Sequence, residues 1–318
     1  MTGEGTKTNP YLITNVQELY SMVEAGGTDV YFRLDTDIDF NETEYAENFV
    51  PIPLYCAELD GNGHTIRNIY CNTSGTAVVF SDMTSTESSN TVEVKNLTLE
   101  NVELVAADIT FFAADSGTTS GTINLSECIF SMRCTLTQSL VNSTTAYKGL
   151  MNGRYRKVNL YLCTVKLEFN GIKEHSLLTG CTVNRSQFYV DIRYISGNSK
   201  SYAQTSLFYK VDMTDTAVFG KVKADNTATT NVYHFAGENK HSNCYQAIEY
   251  DNVATMCWDA CIISPCFYNA DLASGVKTVT NEPDSGTTYA VNFLALTTEQ
   301  CKDAEYLRSV GFICEGAV

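Results

Sequence analysis

The chain has 318 residues, 44% of them apolar, with 37 acidic against 21 basic residues and a net charge of −16. That balance argues against nucleic acid as a partner, because phosphates are met by a positive patch. The apolar content argues against a disordered chain, and no run is apolar for long enough to insert in a membrane as a helix. Gly3 and Gly5 open a turn, and Pro10 holds the following NPYLIT segment extended. Thr14 or Asn15 then caps a short helix in VQELYSMVEAG, with Val16, Leu19, Tyr20 and Val23 on one apolar face and Gly26 or Gly27 as the stop. A strand follows in YFRLDTDIDF: Phe32, Leu34, Ile38 and Phe40 face one way, and Asp35, Asp37 and Asp39 the other.

From here a slip in strand alternation recurs. The apolar phase jumps by three after Ile66 (to Ile69), Val94 (to Leu97), Leu99 (to Val102), Leu125 (to Cys128), Leu162 (to Val165) and Val183 (to Ser186). A strand keeps one face inward only by strict period-two alternation, so an extra residue requires the chain to turn a corner there. Asn68, Asn96 and Asn101 sit on the slips, and Asn tolerates the left-handed conformation of a sharp corner. Strand, corner and strand, repeated without helices, reads as the coils of a β-solenoid, with Ile69, Leu97, Cys128, Val165 and Ser186 as stacked corner positions.

A coil of three short strands needs about twenty residues, so longer intervals imply insertions; Asn142 to Lys157 is the clearest, expected to project from the side. Ser206 to Met213, Thr216 to Lys223 and Asn231 to Gly237 read as later coils, and from residue 241 the pattern degrades into an irregular layer. The last segment, LTTEQCKDAEYLRSVGF, reads as a helix capped by Thr298, with Cys301, Ala304, Tyr306 and Leu307 inward. The expected architecture is all-β: one right-handed, single-stranded parallel β-helix over residues 1–318, with short cap helices at both ends. Its cap region is 1–58, its coils 59–240, and its irregular terminal layer with the cap helix 241–318.

Gly3 to Met22, FRLDTDIDF, Pro51–Ile52 and ELDGNGHTIRNI together resemble the start of right-handed parallel β-helix proteins of pectin-lyase-like fold. These include the GLUG-repeat type of bacterial surfaces and phage virions. The ending resembles the segment that often follows such a helix. The resemblance implies the fold; function follows poorly, because this fold hosts lyases, hydrolases, adhesins and purely structural virion parts.

Candidate sites are few. Asp191 and Arg193 lie two apart on the outward face of QFYVDIRY, where enzymes of this fold place their sites, with Glu168 as a further carboxylate; an exposed ion pair explains them better. Asp35, Asp37 and Asp39 could hold Ca²⁺ or form an acid/base pair, or simply make a solvated strand face. Cys257, Cys261 and Cys266, with Cys244, His234 and His241, could bind zinc or form a disulfide, but lack the short knuckle spacing of zinc sites. Cys128, Cys163 and Cys181 lie by the slips and read as small core residues of a protein made in a reducing compartment. His64, Gly61 and Gly63 are turn residues; no helix follows the glycines, which excludes a phosphate loop. Tyr147, Tyr155, Tyr161, Tyr189 and Tyr194 could form a sugar-stacking strip, though carbohydrate clefts also favour Trp, and Trp258 is the single tryptophan.

No cofactor is expected. The N-terminus carries neither a basic n-region nor a hydrophobic h-region, so no secretory signal is expected. The leading expectation is a non-enzymatic structural or adhesive part of a phage virion (head decoration, fibre or tail protein), assembled in the host cytoplasm. Its partners would be other virion or surface proteins and host-surface carbohydrate, and it could trimerise. The alternatives are a tailspike-type polysaccharide lyase or hydrolase, and a cell-surface adhesin.

Overall fold

The computed structural model describes residues 1–47, 49–81, 91–112, 121–137, 148–152, 157–172, 175–194, 206–224, 233–236, 240–251, 255–258, 262–273, 277–279 and 290–310. They fall in two compact units, Met1–Gln138 with Leu150–Leu167, and Ser139–Gly149 with Glu168–Val318. Within each unit the strands of successive coils pair in parallel, in register, which makes the fold a parallel β-helix.

In the first unit, one inward row runs Phe32, Leu59, Val94, Leu125 and Leu160, each facing the next across the ladder. A second runs Ile38, Ile66, Leu99 and Phe130. A third sheet contributes Ile52, Phe80 and Phe112. Phe111 closes the core between the sheets, with ring centroids 5.4 Å from Phe80 and 4.8 Å from Phe130. All of these side chains are buried. The second unit repeats the plan with Phe188 facing Val218 and Ile192 facing Val222.

The corners are single left-handed residues. Asn96, Glu127 and Leu162 in the first unit, and Arg185, Asp215 and Asn243 in the second, have φ between +48° and +55°. Asn68 and Asn101 make another such corner in the first unit; Gly180 and Lys210 make one in the second. The backbone carries the stacking: the Asn96 N–H donates to Ser126 O (3.0 Å), Glu127 to Tyr161 O (2.9 Å), and Asp215 to Ser242 O (3.1 Å). Side chains add ladder bonds, from Asn101 Nδ2 to Asn68 Oδ1 at 2.7 Å and from Asn243 Nδ2 to Asp215 Oδ1 at 2.6 Å. The first coil uses the DGNG turn instead. A Cβ on Gly61 would lie 2.4 Å from the Asn96 carbonyl oxygen, so only glycine fits this close approach.

Several expectations are corrected. Leu160, not Leu162, is the in-register partner of Leu125; Leu162 is itself the corner and 42% exposed, and the inward residue after it is Cys163. Ile69 belongs to the Asn68/Asn101 corner beside Val102, because Tyr70 faces Glu103; it does not stack with Leu97. Within Asn142 to Lys157, Lys148–Asn152 is a strand with Leu150 and Met151 buried rather than part of a projecting loop; residues 142–147 and 153–156 lie outside the described residues.

The expected irregular layer from 241 instead continues the coils. Lys240–Ser242, Tyr245–Asp251, Ile262–Asn269 and Ala290–Leu296 all pair in parallel. Ile262–Asn269 spans the corner as one strand, and its register shifts between Ile263 and Cys266 against the next strand, which blurs the alternation in the sequence.

The N-terminal helix is two short pieces, α1 (Val16–Tyr20) and α2 (Met22–Ala25). The Asn15 side chain accepts from the Glu18 N–H, and Gly26 follows the last turn. Val16, Leu19 and Met22 are buried while Val23 faces solvent, because the break at Ser21 rotates the second piece. At the other end lie α3 (Thr298–Lys302) and α4 (Ala304–Ser309). Thr297 rather than Thr298 caps α3, in a reciprocal capping box with Gln300. Asp303 caps α4 by accepting from the Glu305 and Tyr306 N–H groups. Leu307 of α4 packs on Ala217, Tyr245, Phe267 and Leu296, with Phe219 and Tyr306 alongside.

Candidate functional site

The outward face of the second unit combines the chemistry singled out in the sequence. Gln187–Tyr194, Ala217–Ala224 and Tyr245–Asp251 lie side by side in parallel. Alternation sends Tyr189, Asp191 and Arg193 outward, and the register sets them against Phe219, Lys221 and Lys223. On the next strand these face Ala247, Glu249 and Asp251.

The face therefore carries three rows across the strands: one aromatic, then Asp191–Lys221–Glu249, then Arg193–Lys223–Asp251. The Tyr189 and Phe219 rings stack at 5.2 Å with 19° between their planes. Tyr189 is 42% exposed, and its hydroxyl donates to Gln187 Oε1 at 2.9 Å. Lys221 Nζ is 3.4 Å from Asp191 Oδ2 and Lys223 Nζ 3.0 Å from Asp251 Oδ2, with more than half of each side chain exposed. Exposed pairs of this kind contribute about 0–1 kcal/mol each. Two interstrand steps place Asp191 and Glu249 about 9–10 Å apart, at the outer end of the separation used by inverting glycosidases. The structure thus brings Asp191 and Arg193 onto one face; Glu168 lies in Thr164–Ile172, the strand that pairs with Gln187–Tyr194 on its other side. α4 covers the neighbouring outward residues Ala217, Tyr245 and Phe267, leaving Tyr189 and the charged rows open.

The aspartate face near the N-terminus is an ion-pair clamp between coils. Asp37 Oδ1 accepts from the Thr65 N–H at 3.0 Å and lies 3.2 Å from His64 Nδ1. Asp39 accepts from Arg67 Nε at 2.9 Å and Asn68 Nδ2 at 2.8 Å. The Thr65 N–H and the His64 contact hold the Asp37 carboxyl below its ordinary value; for Asp39 the Arg67 and Asn68 bonds do the same. Asp35 sits 3.9 Å from Arg33 at the surface. A second clamp joins Lys95 Nζ to Glu58 at 3.0 Å and Asp60 at 3.6 Å. His64 thus has a role beyond the turn: the partners of Asp37 and Asp39, His64 and Arg67, arrive from the next coil, 27 and 28 residues away.

Of the zinc candidates, Cys266 is buried at a corner beside Cys244. Cys257 lies in the strand Thr255–Trp258. Cys261 lies outside the described residues, as do the side chains of Cys257, His234 and Trp258. His241 is buried in register between Met213 and Ile263, and burial pushes its imidazole down to about 3. Among the described residues no three His, Cys, Asp or Glu side chains form a group able to hold a metal ion. Of the tyrosine strip, Tyr189 and Tyr161 are exposed, but Tyr194 points inward and is buried, so it cannot stack on a sugar. Tyr147 and Tyr155 lie outside the described residues.

No family model matches the chain. It is 35% identical over 114 residues to Halomucin of Haloquadratum walsbyi (strain DSM 16790 / HBSQ001). That alignment covers 34% of this chain and 1% of Halomucin, so the chain spans only a small part of that relative. Among solved structures, it resembles a putative immunoglobulin A1 protease from Bacteroides ovatus with a TM-score of 0.51 and 14% identity, over 98% of this chain and 90% of that one. At that identity the likeness is one of fold.

Proposed function

We infer that this protein is a non-enzymatic structural or adhesive component of an assembly outside the cell, its β-helix serving as a rigid scaffold for an outward face. The observation that carries the reading is that face itself. Its carboxylates and ammonium groups are drawn onto each other across the strands, Asp191 onto Lys221 and Asp251 onto Lys223, beside an exposed tyrosine stacked on a phenylalanine. Paired, solvated charges and a flat aromatic suit reversible contact with another surface. A phage virion component, contacting other virion proteins or host-surface carbohydrate, is the first setting. A cell-surface adhesin is the second, favoured by the likeness of a third of the chain to a short stretch of the very long Halomucin.

The test incubates the purified chain with capsular and cell-wall polysaccharides, reading both retention on the immobilised polymer and release of new ends. Retention without new ends, weakened by Tyr189→Ala and unchanged by Asp191→Asn, is the expected result. New ends that disappear in Asp191→Asn or Glu249→Gln would overturn it in favour of a lyase or hydrolase.

A further inference from the structure

Two pairs of cysteines occupy one structural position on neighbouring coils, one pair in each unit. Cys128 and Cys163 follow the left-handed residues Glu127 and Leu162. Ser126 and Tyr161 just before them are in-register partners, and the Thr164 N–H donates to the Cys128 carbonyl at 2.8 Å. In the second unit, Tyr245 faces Phe267, and the Phe267 N–H donates to the Cys244 carbonyl at 2.8 Å, which sets Cys244 against Cys266. All four side chains are buried.

In-register neighbours in a sheet are about 4.8 Å apart, within the range of roughly 4.4 to 6.8 Å between Cα atoms that a disulfide spans. Three other described cysteines have different neighbours in the ladder. Cys181 precedes Thr182, which faces Asp212, so it stacks beside Val211. Cys71 and Cys134 face Leu104 from opposite sides.

We propose that Cys128–Cys163 and Cys244–Cys266 are oxidation sites at which a low-molecular-weight disulfide, such as oxidised glutathione, fastens one coil to the next. One cysteine thiolate attacks a sulfur of the reagent, forming a mixed disulfide and expelling one thiolate. The partner cysteine, as thiolate, attacks the protein sulfur of that mixed disulfide and expels the second. The two cysteine protons pass to the released thiolates, so the protein is oxidised by two electrons and the reagent reduced to two thiols. Because the thiols are buried, the exchange happens as the corners close during folding. The pairing holds whatever the outward face binds. A chain that left a reducing cell interior would meet the oxidant only outside it.

The full chain is unfolded with reductant, then refolded either in a mixture of reduced and oxidised glutathione or in reductant alone. It is alkylated, digested and mapped by mass spectrometry. The expected result is cross-linked peptides joining Cys128 to Cys163 and Cys244 to Cys266, and a Tm several degrees above that of the reduced protein. Cys163→Ser should lose the first link and keep the second, and Cys266→Ser the reverse. Serine already fills this corner at Ser186, its hydroxyl donating to Asn184 O at 2.9 Å, so neither variant disturbs the fold. Complete alkylation of all four cysteines after oxidative refolding, or their linkage to other cysteines, would overturn the proposal.

Discussion

At the corners, the left-handed residue leaves the carbonyl before it accepting twice. Ser126 O takes the Asn96 N–H at 3.0 Å and the Cys128 thiol at 3.2 Å. Thr214 O takes the Arg185 N–H at 3.0 Å and the Thr216 hydroxyl at 2.9 Å. Ser242 O takes the Asp215 N–H at 3.1 Å and the Cys244 thiol at 3.3 Å. Small donors recur at this buried position because an inward carbonyl welcomes a second hydrogen there. On the left-handed residue itself, Leu162 carries a Cβ penalty of about 1 kcal/mol and is largely exposed. Leu162→Gly or Leu162→Asn is therefore expected to stabilise the protein by about 0.5–1 kcal/mol in denaturant unfolding. Gly61→Ala should do the opposite and sharply, because its Cβ would strike the Asn96 carbonyl and the Leu97 Cα. His241 adds a pH term. Its folded pKa lies near 3, below that of a free imidazole, so the unfolded chain binds the extra proton and stability falls as pH drops below about 6.5. The slope approaches about 1.4 kcal/mol per pH unit. Tm measured from pH 7 to pH 4.5 should fall for the native chain and fall less for His241→Leu. Asp37 and Asp39 act lower: their depressed pKa values contribute stability that is present above about pH 4 and lost as the carboxylates protonate below it.

At the scale of elements, the two capped helices at the C-terminal end shield an aromatic row that the coils leave facing outward. Leu307→Ala is expected to cost about 2–3 kcal/mol, and Thr297→Ala about 1 kcal/mol through the lost cap. Both should raise the binding of an apolar dye, by uncovering Tyr245 and Phe267. Much of this level was legible in the chain. The phase jumps at Val94, Leu99, Leu125 and Val183 announced corners at Asn96, Asn101, Glu127 and Arg185, because one left-handed residue shifts a period of two by one. Leu162 was misread because an apolar residue on a corner imitates an inward one. The coils past residue 241 were hidden where Ile262–Asn269 runs through its corner. Arg67 and His64 could not be joined to Asp39 and Asp37 from local sequence, since only stacking brings them together. For the outward rows, alternation alone placed Asp191 and Arg193 outside, whereas their partners Lys221 and Lys223 depend on coil length.

For the whole molecule, scaffold and surface are separable. The inward rows set the fold, while Asp191, Lys221, Lys223 and Asp251 lie in solvent, so Asp191→Asn should leave the unfolding free energy in denaturant within about 0.5 kcal/mol of the native value. A face so loosely tied to the core can change partners without refolding. Mechanics follows from the ladder. Interstrand hydrogen bonds run from coil to coil, so a tensile load applied to the two ends of one unit pulls along them rather than across them. Such bonds part in sequence, each turn peeling before the next bears force. Ladder partners lie 33 residues apart at Asn68 and Asn101, and 28 apart at Asp215 and Asn243. Each turn should therefore lengthen the tether by about 10–12 nm, the step a single-molecule pulling trace would record, and a tether of this kind yields gradually, dissipating work over many small ruptures instead of failing in one.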